Sequence, residues 1–409
     1  MQRVVILGST GSIGRQTVDV VLRHPGRWQV VGLAANRDTA RLITQARLLR
    51  PAVVALADPG AAVRVRDELV PLGIHVLTGV EGVIEVAGHP DADGVVAGIA
   101  GMAGLKPTLA ALTAGHQVAL ANKESLVVGG TLIRQELLRQ KRIGTETDAL
   151  CRWDSTTPII PVDSEHSAIF QALAGSGRCE SGRSSGMIRR LLLTASGGPF
   201  RGMSSEALAK VKVEDALHHP TWSMGRMITV DSALLMNKAL EVIEAHFLFG
   251  TDYDLINVVV HPQSIVHSLV EFKDGAVLAQ LGLPDMRTAI QLALAFPFRL
   301  SSPAPFLDLV ATGALTFENP DRVTFPSLDL GYSAGRKGGS APAVLNAAKE
   351  EAVATFLRGD LPFAAIPDVV GEVLALHDVD PEPTLDSLFA ADAWARQETR
   401  RRLERWIAE

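Results

Sequence analysis

The first 160 residues alternate short apolar runs with segments whose apolar positions recur at helical spacing. Runs such as RVVILG, WQVVGLAA and AVVALAD have the length and composition of buried strands. Residues 13–22 and a second segment from Thr39 repeat apolar positions every three or four residues, as one face of a helix does. Strands that alternate with helices are typical of a parallel sheet covered on both faces. The pattern predicts an α/β fold with a Rossmann-like parallel-sheet domain over residues 1–160.

Beyond residue 160 the pattern changes to mixed strands and helices, and then to helices alone. Residues 161–295 contain the β-like runs LLLTA, NVVV and AVLAQLG and a helical pattern at 232–248, for which Asp231 or Ser232 would be the N-cap. A proline-rich passage at 296–321 is typical of a linker, and residues 322–409 are helical in pattern. We therefore expect a central α+β domain, a linker and a C-terminal helical domain with these boundaries.

Composition narrows the class of protein. The chain has 409 residues, is 47% hydrophobic and carries a formal net charge of −6, which argues against a general nucleic-acid partner. An early glycine-rich N-terminus and the absence of a long apolar run argue against a signal peptide and a membrane span. Two cysteines, Cys151 and Cys179, fit a reducing cytoplasm. They lie in segments at 143–157 and 175–186, which we expect to be surface insertions. The second is almost entirely Gly, Ser and Arg and is expected to be a mobile loop without a catalytic role.

A glycine-rich turn after the first strand predicts dinucleotide binding. In GSTGSIG the residues Gly8, Gly11 and Gly14 are spaced by three, which allows a tight turn and lets a pyrophosphate approach the helix N-terminus. The alternative is a plain βα turn. At the end of the second strand, LAANRD offers Asn36 and Arg37, and an arginine there favours NADPH over NADH. Asp38 would oppose a phosphate if its carboxylate pointed inward.

Acidic and basic residues follow two later apolar runs. In PVDSEH, Asp163 and Glu165 would either begin a helix, Asp163 as its N-cap, or hold a metal ion. In ANKESLV, Lys123 follows a strand, at the edge where ligands of parallel sheets gather; the alternative is a solvated loop lysine.

Three further stretches carry candidate chemistry. On the predicted helix at 232–248, the polar residues Asn237, Lys238, Glu241 and Glu244 share one face, either as a solvated surface or as ligands of an anionic, metal-bound molecule. The turn at LTASGGPF could cradle an anion. The stretch HHPTWSMGRM predicts a mobile lid that covers a ligand with Trp222 and Met224; the alternative places Trp222 in a core.

These stretches together resemble one family. GSTGSIG, ANKESLV, PVDSEH, SGGPF, HPTWSMG, VDSALLMNKALE and HPQSIVHS, in this order over nearly the whole chain, are similar to the motifs of 1-deoxy-D-xylulose 5-phosphate reductoisomerases. The resemblance implies an NADPH- and divalent-metal-dependent enzyme that makes 2-C-methyl-D-erythritol 4-phosphate for isoprenoid precursors. It also implies a cytoplasmic homodimer whose central domain is catalytic.

The resemblance also implies roles for individual residues. The cation, Mg²⁺, Mn²⁺ or Co²⁺, would be held by Asp163, Glu165 and Glu241. The substrate phosphate would be held by Ser196, Ser232, Asn237 and Lys238. The carbon chain of the substrate would meet the catalytic residues Lys123, Ser164, Glu165 and His219. NADPH would be lined by Thr10, Gly11, Ser12, Ile13, Arg37, Asn122, Glu124 and Gly225, with Asn36 added from the end of the second strand.

Two alternatives belong to other classes. A dehydrogenase of the homoserine or semialdehyde type would share the glycine turn but would need no three-carboxylate metal site. A non-catalytic relative would bind only the nucleotide, although the full set of acids and phosphate contacts speaks against it. The sequence departs from the family at AANRD and at LNAAKEE, where LNAANE is usual, and it does not decide the preferred metal or the rearrangement route.

Overall fold

The computed structural model describes residues 1–145, 150, 156–176, 187–222 and 224–408. The strands are β1 (Gln2–Leu7), β2 (Trp28–Ala35), β3 (Val53–Leu56), β4 (His75–Thr78), β5 (Gly94–Ala97), β6 (Gln117–Leu120), β7 (Ile159–Pro161), β8 (Ile188–Ala195), β9 (Ile256–Val260), β10 (Val266–Phe272) and β11 (Val277–Leu281). The helices are α1 (Ser12–Arg23), α2 (Thr39–Leu49), α3 (Pro59–Leu69), α4 (Gly79–Ala87), α5 (Leu105–Thr113), α6 (Lys123–Arg139), α7 (Ser164–Gly175), α8 (Ser205–Leu208), α9 (Val213–Ala216), α10 (Arg226–Ala233), α11 (Met236–Phe249), α12 (Met286–Ala295), α13 (Leu309–Thr312), α14 (Ser327–Lys337), α15 (Ala341–Arg358), α16 (Ile366–Leu376) and α17 (Leu385–Ala408).

The chain folds into two compact units, and each is built from separate stretches of sequence. The first unit comprises Met1–Ser125, Ile133–Gly175 and Asp285–Phe306. The second unit comprises Leu126–Leu132, Ser176–Pro284 and Leu307–Glu409.

The first unit contains a seven-stranded parallel sheet in the order β4-β3-β2-β1-β5-β6-β7. Strands β1, β3 and β5 are buried along most of their length, as expected where helices cover both faces of a parallel sheet. The strand order reverses between β1 and β5, and ligands of such sheets bind beside the carboxyl ends at that reversal. The predicted Rossmann-like domain is confirmed.

The first unit also includes a helix from late in the sequence. Helix α12 packs against α1, α7, β6 and β7. Arg287 in its first turn contacts Asp19 of α1 at 3.0 Å and Asp285 at 2.6 Å, which ties the returning chain to the sheet domain. The compact units do not coincide with the predicted domains, because residues 285–295, which the mixed strand and helix pattern assigned to the catalytic domain, pack in the first unit. The chain leaves the first unit after Phe306, inside the predicted linker at 296–321.

The second unit combines a four-stranded sheet with the C-terminal helices. The order is β11-β10-β8-β9, with β8 and β9 parallel and the other neighbours antiparallel. Helix α11 packs against β8, β9 and α14, and α15 packs against α14, α16 and α17. The close approach of α11 and α14 depends on Gly331, where a Cβ would lie 2.6 Å from Cβ of Ala239. The predicted mixture of α+β and C-terminal helical structure is confirmed.

Most of the two predicted insertions, including Cys151 and Cys179, lies outside the described residues, so their expected surface position stays a prediction. Among the helices of the described residues, none combines the length and the apolar character that crossing a bilayer requires.

Candidate active site

The glycine turn between β1 and α1 is held by close backbone contacts. Gly8 has φ +71°, and a Cβ at this position would lie 2.4 Å from the carbonyl oxygen of Gly98, which follows β5. A Cβ on Gly14 would lie 2.4 Å from the carbonyl oxygen of Gly8. These two glycines therefore let α1 begin directly above the strand reversal. Gly11 is the N-cap of α1 and is exposed, so the predicted nucleotide residues Thr10, Gly11, Ser12 and Ile13 surround a helix N-terminus that can receive an anion.

The end of β2 shows how Asp38 is used. Its Oδ1 accepts a hydrogen bond from the backbone N–H of Arg41 at 3.1 Å, which makes Asp38 the N-cap of α2. Its Oδ2 pairs with Nη1 of Arg41 at 2.8 Å. Arg41, which the sequence reasoning did not single out, also donates to the carbonyl oxygen of Thr10 at 3.3 Å. Asn36 and Arg37 are exposed. The i, i+3 spacing of Asp38 and Arg41 after a strand was the available sequence signal.

The side chain of Asn122 forms hydrogen bonds with the backbone near the end of β6. It is the N-cap of α6, and its Oδ1 accepts from the N–H of Ser125 at 3.0 Å. Its Nδ2 donates to the carbonyl oxygens of Ile99 and Gly101, which join the ends of β5 and β6. The side chain is buried, whereas Glu124 in the first turn of α6 is partly exposed.

Lys123 and Asp163 meet at the carboxyl ends of neighbouring strands. Leu120 at the end of β6 is in register with Pro161 at the end of β7, so the residues that follow the two strands converge. Nζ of Lys123 lies 2.5 Å from Oδ2 of Asp163, and their side chains are 11% and 13% exposed. The alternative of a solvated loop lysine is therefore wrong.

Asp163 both begins a helix and offers a carboxylate. Its carbonyl oxygen accepts from the N–H of Ser167 at 2.8 Å, which starts the hydrogen bonding of α7, while its carboxylate faces Lys123. The hydroxyl of Ser164 donates to Oε2 of Glu165. His166, which the sequence reasoning missed, is buried with Nδ1 4.0 Å from Oδ2 of Asp163. The motif PVDSEH thus supplies two carboxylates within one turn, and helix capping does not exclude a chemical role.

In the second unit an imidazole joins two serines. Nε2 of His219 lies 2.9 Å from Oγ of Ser196 and 3.1 Å from Oγ of Ser232. Nδ1 of His219 accepts from the backbone N–H groups of Thr221 and Trp222 at 3.2 and 2.9 Å. Nδ1 is therefore unprotonated and Nε2 carries the proton. Burial lowers the pKa of His219, which keeps the ring neutral at pH 7.

The SGG turn brings Ser196 to this group. Gly197 and Gly198 have φ values of +82° and +67°, and a Cβ on Gly198 would lie 2.9 Å from Cα of Ala233. The N–H of Gly198 donates to Oγ of Ser196 at 3.2 Å. Glycine is required here because a side chain would collide with the last turn of α10. The close contact with α10 explains the two glycines of this turn, and its role in binding an anion stays a prediction.

The predicted single helix at 232–248 is wrong at its start. Asp231 and Ser232 lie in the last turn of α10, and Leu235 has φ +57° in a left-handed conformation before α11 begins at Met236. No glycine or proline marks this break. Leu235 is buried, and packing of its side chain can offset the cost of a conformation that non-glycine residues rarely adopt.

The first turns of α11 carry buried charge. Nδ2 of Asn237 and Nζ of Lys238 both donate to the carboxylate of Glu241, each at 2.5 Å. The side chains of Lys238 and Glu241 are 4% and 0% exposed. Glu244 is buried one turn later. The interpretation of this face as a solvated surface is therefore wrong.

The stretch around Trp222 is attached to the four-stranded sheet. The indole is half-buried beside His267 of β10, with ring centroids 6.1 Å apart, and Oγ1 of Thr221 lies 3.0 Å from Oγ of Ser264. Met224 is half-buried, and Gly225 is the N-cap of α10. Ser223 lies outside the described residues.

These features define a class of protein: an α/β dinucleotide-binding fold joined to a unit that presents hydroxyl, imidazole, ammonium and carboxylate groups. Models of 1-deoxy-D-xylulose 5-phosphate reductoisomerase match residues 4–130, and models of its C-terminal domains match residues 159–249 and 281–398. A relative of that name from Synechococcus sp. (strain JA-2-3B'a(2-13)) is 50% identical, with 98% of this chain and 97% of the relative covered. One from Heliobacterium modesticaldum is 50% identical, with 97% and 96% covered.

Solved structures agree with these relatives. The reductoisomerase from Zymomonas mobilis in complex with NADPH superimposes with a TM-score of 0.88 at 39% identity, over 98% of this chain and 99% of that one. A DOX-P reductoisomerase in complex with NADPH, fosmidomycin and magnesium gives a TM-score of 0.88 at 36% identity, over 99% and 98%. The chain belongs to the 1-deoxy-D-xylulose 5-phosphate reductoisomerase family, whose members are NADPH-dependent oxidoreductases. The comparisons give no support to the metal-independent dehydrogenase that was the alternative.

Proposed function

We propose that this chain converts 1-deoxy-D-xylulose 5-phosphate into 2-C-methyl-D-erythritol 4-phosphate with NADPH and a divalent cation, in the supply of isoprenoid precursors. The observation that carries the proposal is the cluster of Ser196, His219 and Ser232, whose polar atoms converge within 2.9–3.1 Å of one imidazole nitrogen. A phosphate accepts hydrogen bonds from just such hydroxyl and N–H donors. The remaining assignments concern the cation, the nucleotide and the carbon chain of the substrate.

We assign the phosphate to Ser196, Ser232, Asn237 and Lys238. Asn237 and Lys238 stand in the first turn of α11, where helix N–H groups favour an anion. In the described structure both side chains contact Glu241, so Lys238 is a buried cation paired with a carboxylate of its own helix. A bound phosphate would share that ammonium with the carboxylate of Glu241.

We assign the cation to Asp163, Glu165 and Glu241. Carboxylate oxygens suit Mg²⁺ and Mn²⁺ and also accept Co²⁺. The donor set fits, because Asp163 and Glu241 each already stand beside a positive charge, at 2.5 Å from Lys123 and Lys238 respectively. When bound, the cation supplies Lewis-acid polarisation of a ketone and its neighbouring hydroxyl.

We assign the substrate's carbon chain to Lys123, Ser164, Glu165 and His219. The ammonium of Lys123 lies beside Asp163 in a site that is mostly closed to water, so a hydrogen bond from it to a substrate oxygen would be strong. His219 is neutral, so its Nε2–H can donate to a substrate oxygen without adding charge. These groups orient the substrate while its carbon skeleton rearranges to an aldehyde, which is then reduced.

We assign NADPH to Thr10, Gly11, Ser12, Ile13, Asn36, Arg37, Asn122, Glu124 and Gly225, and this cofactor supplies the hydride. Arg37 is exposed at the end of β2 and makes no side-chain hydrogen bond or ion pair with any described residue, so its guanidinium is available to a 2′-phosphate. Because the side chain of Asn122 is engaged, we assign its role to shaping the strand ends that the nicotinamide would contact.

We propose that residues 218–227 form a lid that covers the substrate with Trp222 and Met224. Supporting this, a Cβ on Gly225 would meet no atom of the described residues within 4 Å, which leaves room for a ligand at the start of α10. Binding of fosmidomycin should change the tryptophan fluorescence, and Trp222→Phe should abolish that change. Trp222→Ala should impair turnover with little change in melting temperature. A large fall in the melting temperature of the unliganded variant would instead assign the indole to the core.

We further propose a homodimer in the cytoplasm. Strand β11 is the edge of the four-stranded sheet, and Val277 and Leu278 on it are 49% and 39% exposed. An exposed apolar edge strand is suited to pairing with a second copy. Sedimentation equilibrium should give the mass of two chains, and Val277→Lys should shift it towards one.

The reaction itself is tested by following NADPH oxidation with 1-deoxy-D-xylulose 5-phosphate, with and without EDTA. Turnover should require both compounds, stop with EDTA, and return with Mg²⁺, Mn²⁺ or Co²⁺. Product identity should be checked by NMR. Turnover that persists in EDTA, or the absence of turnover with every cation, would overturn the proposal.

A further inference from the structure

We propose that Lys349 is a positioning residue for phosphate binding, acting through Asp231 on Ser232. This inference rests on the proposed function, because it concerns the same phosphate subsite. Nζ of Lys349 on α15 lies 2.9 Å from Oδ2 of Asp231 on α10, and the two side chains are 3% and 4% exposed. Asp231 directly precedes Ser232, whose hydroxyl is 3.1 Å from Nε2 of His219.

The Lys349–Asp231 ion pair joins the last turn of α10 to α15. Helix α10 has only eight residues, and it ends just before the left-handed Leu235. A short helix followed by a strained residue has little intrinsic stability, so tertiary contacts must fix its last turn. Helix α10 packs against α15, and the Lys349–Asp231 pair links the two helices at the turn that carries Ser232.

Helix α11, which follows Leu235, is positioned by different contacts from those of α10. Helix α11, which carries Asn237 and Lys238, packs against α14, and α14 packs against α15. The residues before and after Leu235 are thus both positioned by packing on α14 and α15, which contact each other. Lys349 fixes the serine side of the phosphate subsite, and the packing of α11 on α14 fixes the amide and ammonium side. The length of a lysine suits this task, because it reaches from one helix to the next while its stem remains buried.

Loss of the Lys349 ammonium should weaken phosphate binding more than it slows the chemical step. Lys349→Met leaves the carboxylate of Asp231 buried without its cation, a state that favours movement of the α10 turn towards water. Displacement of Ser232 should raise KM for 1-deoxy-D-xylulose 5-phosphate by about tenfold to a hundredfold, with a smaller fall in kcat. The Kd of fosmidomycin, whose phosphonate would occupy the same subsite, should rise in parallel, while the Kd of NADPH stays unchanged.

A matched control is available at the contact of α15 with α17. Arg396 on α17 pairs with Glu350, the next residue on α15, at 2.6 Å. Arg396→Met also removes a cation that pairs with α15. This pair links α15 to α17, whereas the Lys349–Asp231 pair links α15 to α10, which carries Ser232. Arg396→Met should lower thermal stability without changing KM for the sugar phosphate.

A double-mutant cycle tests whether Lys349 acts through Ser232. The increases in KM caused by Lys349→Met and Ser232→Ala should be markedly less than multiplicative when combined, because the first change already removes the benefit of the second group. Asp231→Asn combined with Lys349→Gln, which keeps a hydrogen-bonded pair without charge, should recover part of the lost phosphate affinity. This double variant also serves if Lys349→Met does not fold.

The outcomes separate this inference from the proposed function. If the unchanged protein fails to oxidise NADPH with 1-deoxy-D-xylulose 5-phosphate, the proposed function fails. If it turns over while Lys349→Met and the paired amide variant both keep its KM and its fosmidomycin Kd, the positioning role is overturned. Equal increases in KM for Lys349→Met and Arg396→Met, or fully multiplicative effects with Ser232→Ala, would also overturn it, because they indicate general loosening.

Discussion

The two units hold their charged side chains in different ways. In the first unit, Lys123 and Asp163 follow the ends of adjacent parallel strands, and the register of β6 with β7 is enough to bring them to 2.5 Å. In the second unit, Ser232 and Lys238 stand on either side of the left-handed Leu235, and no sheet register fixes their separation. The residues that we propose for phosphate binding are positioned instead by helix contacts and by the glycine turn and, in our proposal, by the Lys349–Asp231 pair. We therefore expect single substitutions to displace the polar groups around Leu235 more than the pair at the strand ends.

The largest expected effect concerns Glu241, the buried carboxylate on α11. Glu241→Gln should lower turnover by on the order of a hundredfold or more, since loss even of groups behind a metal ligand costs about 10–100-fold. The change also removes the charge that pairs with Lys238 at 2.5 Å. Turnover should be titrated with Mg²⁺ and Mn²⁺ to detect weaker cation binding.

Glu244→Gln is the matched control for this change, because Glu244 is a buried carboxylate on the same helix. It should leave the dependence on cation concentration unchanged. If Glu241→Gln keeps near-normal activity with unaltered metal dependence while Glu244→Gln does not, the ligand on α11 is Glu244.

The next effect concerns the nucleotide end of the first unit. Arg37→Ala should weaken NADPH binding by roughly 1.5–3 kcal/mol, the range for hydrogen bonds to charged groups, and should barely change NADH binding. Isothermal titration with both nucleotides measures the difference. Equal losses for NADPH and NADH would show that Arg37 does not contact the 2′-phosphate.

The same contrast explains what could be predicted from sequence. The sheet, the glycine turn and the position of Lys123 at a strand end follow from the hydrophobic period and from the rule that ligands gather at strand ends. The meeting of Lys123 with Asp163 depends on the pairing of β6 with β7, which the structure shows. The break at Leu235 could not be predicted, because a leucine with φ +57° carries no local signal and is stabilised only by tertiary packing. The return of α12 to the first unit and the burial of Lys349 against Asp231 likewise depend on contacts between residues far apart in the chain.

A smaller effect, dependent on pH, tests the imidazole of the second unit. Burial lowers the pKa of His219 below its ordinary value of 6.5, so the unfolded chain takes up this proton more readily than the folded chain. The stability that the neutral ring contributes is therefore present above about pH 6.5 and is lost as the pH falls below that value. His219→Gln should be less stable than the unchanged protein at pH 8, by about 1–3 kcal/mol for the unsatisfied N–H groups of Thr221 and Trp222.

That difference should shrink as the pH falls from 7 towards 5. Protonation of His219 then favours the unfolded state of the unchanged protein, whereas the glutamine variant has no imidazole to protonate. Urea unfolding at several pH values measures the difference. A constant difference would mean that folding does not lower the pKa of His219, and a difference that grows with acid would mean that the folded state favours the charged ring. Either result would contradict the neutral ring assigned to His219.

The smallest expected effect returns to the first unit, at Asp38. Its carboxylate caps α2 and pairs with Arg41, so it is directed into the protein's own contacts. Asparagine is an equally good N-cap, and an exposed ion pair contributes only about 0–1 kcal/mol. Asp38→Asn should therefore leave both stability and NADPH affinity nearly unchanged. A marked gain in NADPH affinity, with no gain for NADH, would show that Asp38 faces the 2′-phosphate and opposes Arg37. In that case Arg41→Ala should weaken NADPH binding, since it removes the cation that neutralises Asp38 at 2.8 Å. If neither variant changes the affinity, cofactor choice at this strand end rests on Arg37 and on the helix N-terminus at Gly11.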